Sequence, residues 1–82
     1  MREEVSEKRL LELLNAELAK HDVCEDCRFD TPVHRLRQAD ADGANWSDVM
    51  NLRCSGVEAA PCVGVARQAI TKVRARYNLA ND

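Results

Sequence analysis

Hydrophobic positions follow two different periods along this chain. Leu10, Leu11, Leu14 and Leu18 stand at helical spacing with Leu13 beside them, while Glu7, Lys8, Glu12 and Lys20 fall elsewhere. That stripe predicts an amphipathic helix over residues 5–20. Ser6 is placed to cap it, with Arg9 and Leu10 already in the first turn. A second stripe, Cys62, Ala66, Ala69, Ile70, Val73 and Tyr77, predicts a helix over residues 61–77, with Arg67, Lys72, Arg74 and Arg76 on its other faces. Pro61 suits the first turn, where a missing N–H costs little, and Asn78 reads as a stop.

Between the helices the period changes. Residues 28–38 mix β-favouring side chains with charge, and Trp46, Met50, Leu52 and Cys54 fall on one side of a strand. Ala39 to Asn45 is short and polar, and its Asp42-Gly43 pair marks a turn. The pattern predicts an antiparallel hairpin over residues 28–54. Phe29 and Leu36 have opposite parity, which calls for a bulge in the first strand, with Pro32 at an edge or irregular stretch. The expected order is helix–strand–strand–helix: one α+β domain over residues 1–82, with two helices packed on one face of the hairpin. A two-stranded sheet is marginal alone, so it needs both helices, a further strand or a dimer partner.

Length sharpens this point. A chain of 82 residues buries a small core, and domains of this size often add a metal, disulfides or a partner subunit. Plentiful aliphatic residues and a net charge of −2 argue against disorder. No segment approaches the ~20 apolar residues of a membrane span. The start, Met1-Arg2-Glu3-Glu4, is acidic and lacks a signal core, so the expected compartment is the cytoplasm, where thiols stay reduced.

In that setting the four cysteines predict a metal site. Cys24 and Cys27 form a Cys-x2-Cys pair, half of a common structural zinc site, and Cys54 and Cys62 follow at a wider, non-standard spacing. The hairpin brings Cys54 back towards Cys27, and Cys62 starts the second helix, whose positive end favours thiolate. Cys24, Cys27, Cys54 and Cys62 are therefore expected to bind zinc as a saturated structural site of four thiolates. Two other readings stand beside it. Cys54 and Cys62 lie on apolar stripes, and buried cysteines in a metal-free α+β domain would look the same. A thiol redox pair of Cys24 and Cys27 is the other, although Glu25 and Asp26 between them disfavour reactive thiolate. His21 could replace one thiolate, but suits a helix C-terminus better. His34 lies away from the cysteines.

Other chemistry is thin. Asp40, Asp42 and Asn45 lack the rest of a calcium loop, and Asn45-Trp46-Ser47 matches a glycosylation acceptor by letter only. No phosphate-binding glycine loop, nucleophile elbow or triad is present, so no motif argues for an enzyme. Arg28, Arg35, Arg37 and Arg53 on the hairpin and Arg67, Lys72, Arg74 and Arg76 on the last helix offer RNA or DNA binding as an alternative. An ordinary solvated face is the better account, since one aromatic per element (Phe29, Trp46, Tyr77) leaves little for base stacking. The acidic first helix could instead meet a basic partner, and self-association is a further expectation.

Gly43-x-Asn45-Trp46-Ser47, Arg53-Cys54-Ser55-Gly56, Cys62 and Ala75-Arg76-Tyr77-Asn78-Leu79 give the chain a resemblance, over residues 24–79, to short uncharacterised bacterial proteins of proteobacterial type. The resemblance implies a bacterial cytoplasmic protein and carries no assigned activity. The leading expectation is a small zinc-binding module that acts by binding another macromolecule.

Overall fold

A computed structural model describes residues 2–80. The elements run β1 (Glu3–Val5), α1 (Glu7–Leu18), a 3-10 turn (Asp22–Cys24), β2 (Cys27–Asp30), β3 (Asn51–Cys54), α2 (Ala60–Arg74) and β4 (Tyr77–Leu79). The fold is α+β: two helices, an antiparallel β2–β3 pair and a parallel β1–β4 pair.

Both helices form where their stripes place them. Ser6 caps α1 by accepting the Arg9 N–H on its Oγ at 3.1 Å, and Glu7 in the first turn complements the positive helix end. Leu10, Leu14 and Leu18 are almost wholly buried, facing α2, whose Ala66, Ala69, Ile70 and Val73 are buried in return. Pro61 does sit in the first turn of α2.

The helix ends differ from expectation, and one cause explains both. Val5 and Tyr77, expected to be helical, belong to strands that pair the two ends of the chain, in register Glu3↔Tyr77, Glu4↔Asn78 and Val5↔Leu79. Three-residue strands are too short to show a period, and their partner lies at the other end of the sequence. Val5 and Leu79 face the core from this pair, which forms a second two-stranded sheet separate from the hairpin.

The hairpin is also shorter than its pattern. Four residues pair on each side, Cys27↔Cys54 through Asp30↔Asn51, and an isolated bridge joins Arg35 to Trp46. Both sets share one register, centred between Asp40 and Ala41, so equal lengths leave the ladder on each side and no net bulge forms. The first excursion carries Pro32, which has no N–H for a ladder. At the turn, the Gly43 N–H donates to Asp40 O at 2.8 Å. Gly43 has φ +93°, a left-handed conformation that glycine adopts without strain.

Asparagine amides close two strand edges. Asn15 on α1 accepts the Phe29 N–H at 2.7 Å and donates to Phe29 O at 3.3 Å, as a neighbouring strand would. Asn45 does the same for β4, accepting the Leu79 N–H at 2.8 Å and donating to Leu79 O at 2.9 Å.

Trp46 is fully buried and donates its indole N–H to Tyr77 O at 3.0 Å. Arg74, at the end of α2, locks this region to the turn. Its guanidinium lies 5.8 Å from the Trp46 ring centroid and donates to Trp46 O at 3.0 Å. It also meets Asp40 at 2.6 Å and Asp42 at 3.3 Å. With its side chain only 11% exposed, Arg74 is screened less than a surface cation. Arg74→Ala is expected to lower unfolding free energy by about 2–3 kcal/mol, because several charge-assisted bonds go at once. Arg74→Lys should recover less than half, since an ammonium cannot span three acceptors. Urea denaturation of the three proteins measures both values.

Candidate interaction surface at the disulfide end

The four cysteines do converge, and they converge in pairs. Cys24 is bonded to Cys62 with Cα atoms 5.1 Å apart, and Cys27 to Cys54 with Cα atoms 4.0 Å apart. Local structure sets each partner. Cys27 and Cys54 face each other directly across the β2–β3 ladder. Cys24 is turned the other way by the 3-10 turn, whose Cys24 N–H donates to His21 O at 3.0 Å, and so meets Cys62 in the first turn of α2.

This pairing corrects the expectation of zinc. All four sulfurs that would coordinate the ion are consumed in S–S bonds and none is free, and a metal needs them as thiolates. Among the described residues no group of three or more His, Cys, Asp or Glu could hold a metal ion. A zinc-binding or metal-binding role for Cys24, Cys27, Cys54 and Cys62 falls with it. His21 is exposed and precedes the 3-10 turn; His34 is exposed on the first excursion of the hairpin. Cys24 and Cys27, the alternative redox couple, sit in different bridges.

Beside the bridges lies a continuous groove. One depression of about 850 Å³ lies between α1 and the outer face of the hairpin, lined by Lys8, Leu11, Asn15, Arg28, Phe29 and Arg53 among others. A second of about 580 Å³ shares Asn15, Arg28 and Ser55 with it and continues past His21, Asp22, Glu25 and Asp26. Leu11 supplies apolar surface over the buried Phe29, and the far end is acidic.

Its carboxylates at the α1 end are already engaged. Glu7 accepts the Val33 N–H at 2.8 Å, Glu12 meets Arg9 at 3.4 Å, and Asp30 meets Arg53 at 2.9 Å. Lys8 and Arg28 make no salt bridge among the described residues, so neither ammonium nor guanidinium is tied to a carboxylate there. Sequence reasoning places Arg28 and Arg53 on the hairpin and Lys8 off the apolar stripe, but has no signal that α1 lies along β2. The side chain responsible, Asn15, looks like any polar residue on a helix.

The basic residues of α2 are placed differently. Lys72 donates to Glu17 at 3.1 Å and Arg74 holds the hairpin turn, while Arg67 and Arg76 are exposed. Half of that cationic face therefore serves contacts within the chain.

Three carboxyls are held below their ordinary range. Glu17 is lowered by its hydrogen bonds to Lys20 and Lys72. Asp30 is lowered by Arg53 and by the Thr31 N–H, and Asp42 first by the Ala44 N–H and then by Arg74 and Arg2. A carboxyl with a depressed folded pKa stabilises the fold fully above its unfolded pKa and loses that contribution as pH falls through the folded value. The urea midpoint should thus be level above about pH 5 and fall steadily below about pH 4. A Glu17→Gln, Asp30→Asn double variant should show a shallower fall over the same range.

The bridges generate a second expectation. They are nested, Cys27–Cys54 inside Cys24–Cys62, with sequence separations of 27 and 38. Once the inner bridge is closed, the outer one closes a ring of only about a dozen residues, worth about 3 kcal/mol by chain entropy. A Cys24→Ala, Cys62→Ala variant should lose about that much stability in urea. Alkylation of the unreduced denatured parent should label no cysteine. Comparison with protein-family models, with curated proteins and with solved structures finds no match to this chain.

Proposed function

We propose that the chain is a disulfide-stapled binding module that acts by engaging another macromolecule along the groove between α1 and the β2–β3 hairpin. The observation that carries this reading is the groove's lining: apolar surface from the half-buried Leu11, with Lys8 and Arg28 in no salt bridge among the described residues. Exposed cations beside an apolar side chain supply both attraction and desolvation to a bound surface. The rigid walls support the same reading. Asn15 fixes α1 against β2, and the two bridges fix the hairpin against α2, so little ordering remains to oppose association. Paired thiols favour an oxidising compartment as the place where the module works. The likeness to short bacterial proteins is kept as part of this proposal; it adds no activity to it.

Affinity capture under oxidising conditions tests the proposal, with three baits: the parent, a Lys8→Glu, Arg28→Glu double variant, and Arg37→Glu as a control away from the groove. A partner should be recovered equally by the parent and by Arg37→Glu, and at least tenfold less by the groove variant. Equal recovery on all three baits would overturn the groove as the binding surface.

A further inference from the structure

We infer that the outer edge of β3 accepts an extended, acidic peptide segment of a partner as a third strand of the β2–β3 sheet. This rests on the binding-module reading and names the class of partner and its mode of docking.

The register decides which backbone groups are available. The Ser55 N–H donates to Asp26 O at 2.9 Å, which makes Asp26 and Ser55 a hydrogen-bonded pair. Alternation along an antiparallel ladder then makes Arg28↔Arg53 and Asp30↔Asn51 hydrogen-bonded, and Cys27↔Cys54 and Phe29↔Leu52 not. Residues of the second kind point their N–H and C=O away from the partner strand. Phe29 does so towards α1, where Asn15 takes both groups. Leu52 and Cys54 do so on the opposite edge, and there their N–H and C=O groups meet no partner among the described residues.

Other edges are treated differently. Asn15 closes the free edge of β2, and Asn45 closes that of β4. The β3 edge has no such cap among the described residues, nor a proline or an inward charge, the other usual protections. An open edge with two outward N–H/C=O pairs is the template that strand addition uses.

Charge selects the occupant. On the outer face Arg28 lies directly opposite Arg53, a like-charge pair that is unfavourable across strands. Asp30 reaches Arg53 at 2.9 Å, and its single charge serves both arginines of this pair. A third strand with Glu or Asp opposite Arg53 adds the missing negative charge to this row. A second copy of β3 would instead bring another arginine to the same edge. Val49, 68% exposed just before β3, offers the incoming strand an apolar contact.

The test uses the oxidised protein with an alternating Glu-Val decapeptide and its Lys-Val counterpart, read by amide hydrogen exchange. The Glu-Val peptide should protect the Leu52 and Cys54 amides at least tenfold, and the Lys-Val peptide should not. Arg53→Glu should reverse that preference. Leu52→Pro removes one outward donor without touching the ladder to β2, and should abolish protection at Cys54; Arg53→Glu keeps the test open if that variant folds poorly. Equal protection by both peptides would overturn the inference, as would concentration-dependent protection of Leu52 and Cys54 without peptide, which would mean self-pairing. Protection confined to Lys8, Leu11 and Glu12 would also overturn it while leaving the groove reading intact. Loss of capture selectivity in the groove variants, with edge protection present, would do the opposite.

Discussion

Everything in this fold depends on two covalent crosslinks set one inside the other. The β2–β3 ladder is four residues long on each side, too short to persist alone in water. Cys27–Cys54 fixes its register at one end, since a slip of one residue would part the sulfurs and turn each side chain to the wrong face. Cys24–Cys62 then ties that end to the start of α2. The α1–α2 core has a fixed frame to close on, and three buried leucines with four small or branched partners suffice to fill it. At the far end, Arg74 and Trp46 perform the corresponding task without covalent bonds. They join the hairpin turn to the end of α2 through a guanidinium with several acceptors.

Polar side chains supply what the short strands lack. A sheet of two strands has as many edges as strands, and each edge is a row of groups that must find partners or water. Asn15 and Asn45 each place an amide where the next strand's peptide would be. The substitution is chemically close, because a carboxamide offers the same donor and acceptor as a peptide group. One such residue comes from a helix and the other from the hairpin, so the caps also fasten separate elements together. One of these caps fastens α1 along β2, and the groove lies beside that seam.

Much of this is legible in the sequence and some is not, for physical reasons. Leu10, Leu14 and Leu18 repeat over enough residues for the period to speak, and Ser6 and Pro61 mark helix starts by local chemistry. The convergence of the cysteines is also readable, from the turn at Asp42-Gly43. Their oxidation state is not: the same spacing serves a metal or two bridges, and only the pairing of Cys24 with Cys62 separates them. The assumption of reduced thiols leads from convergence to zinc. Glu3–Val5 and Tyr77–Leu79 are illegible because three residues have no period and their stability comes entirely from each other. The hairpin reads as continuous because Trp46, Met50, Leu52 and Cys54 alternate correctly, yet the chain leaves the ladder between residues 31 and 34 and returns to it in the same register. The cap formed by Asn15 has no sequence signal at all.

The nesting of the bridges has a mechanical consequence. If tension is applied between the chain ends, the Cys24–Cys62 bond carries the load directly from the 3-10 turn to α2. The hairpin hangs from that bond as a closed loop, and roughly 130 Å of contour length stays out of the line of force. Only the terminal arms, with α1, α2 and the parallel β1–β4 pair, can extend. The groove wall formed by α1 would then be pulled away from a hairpin that stays folded.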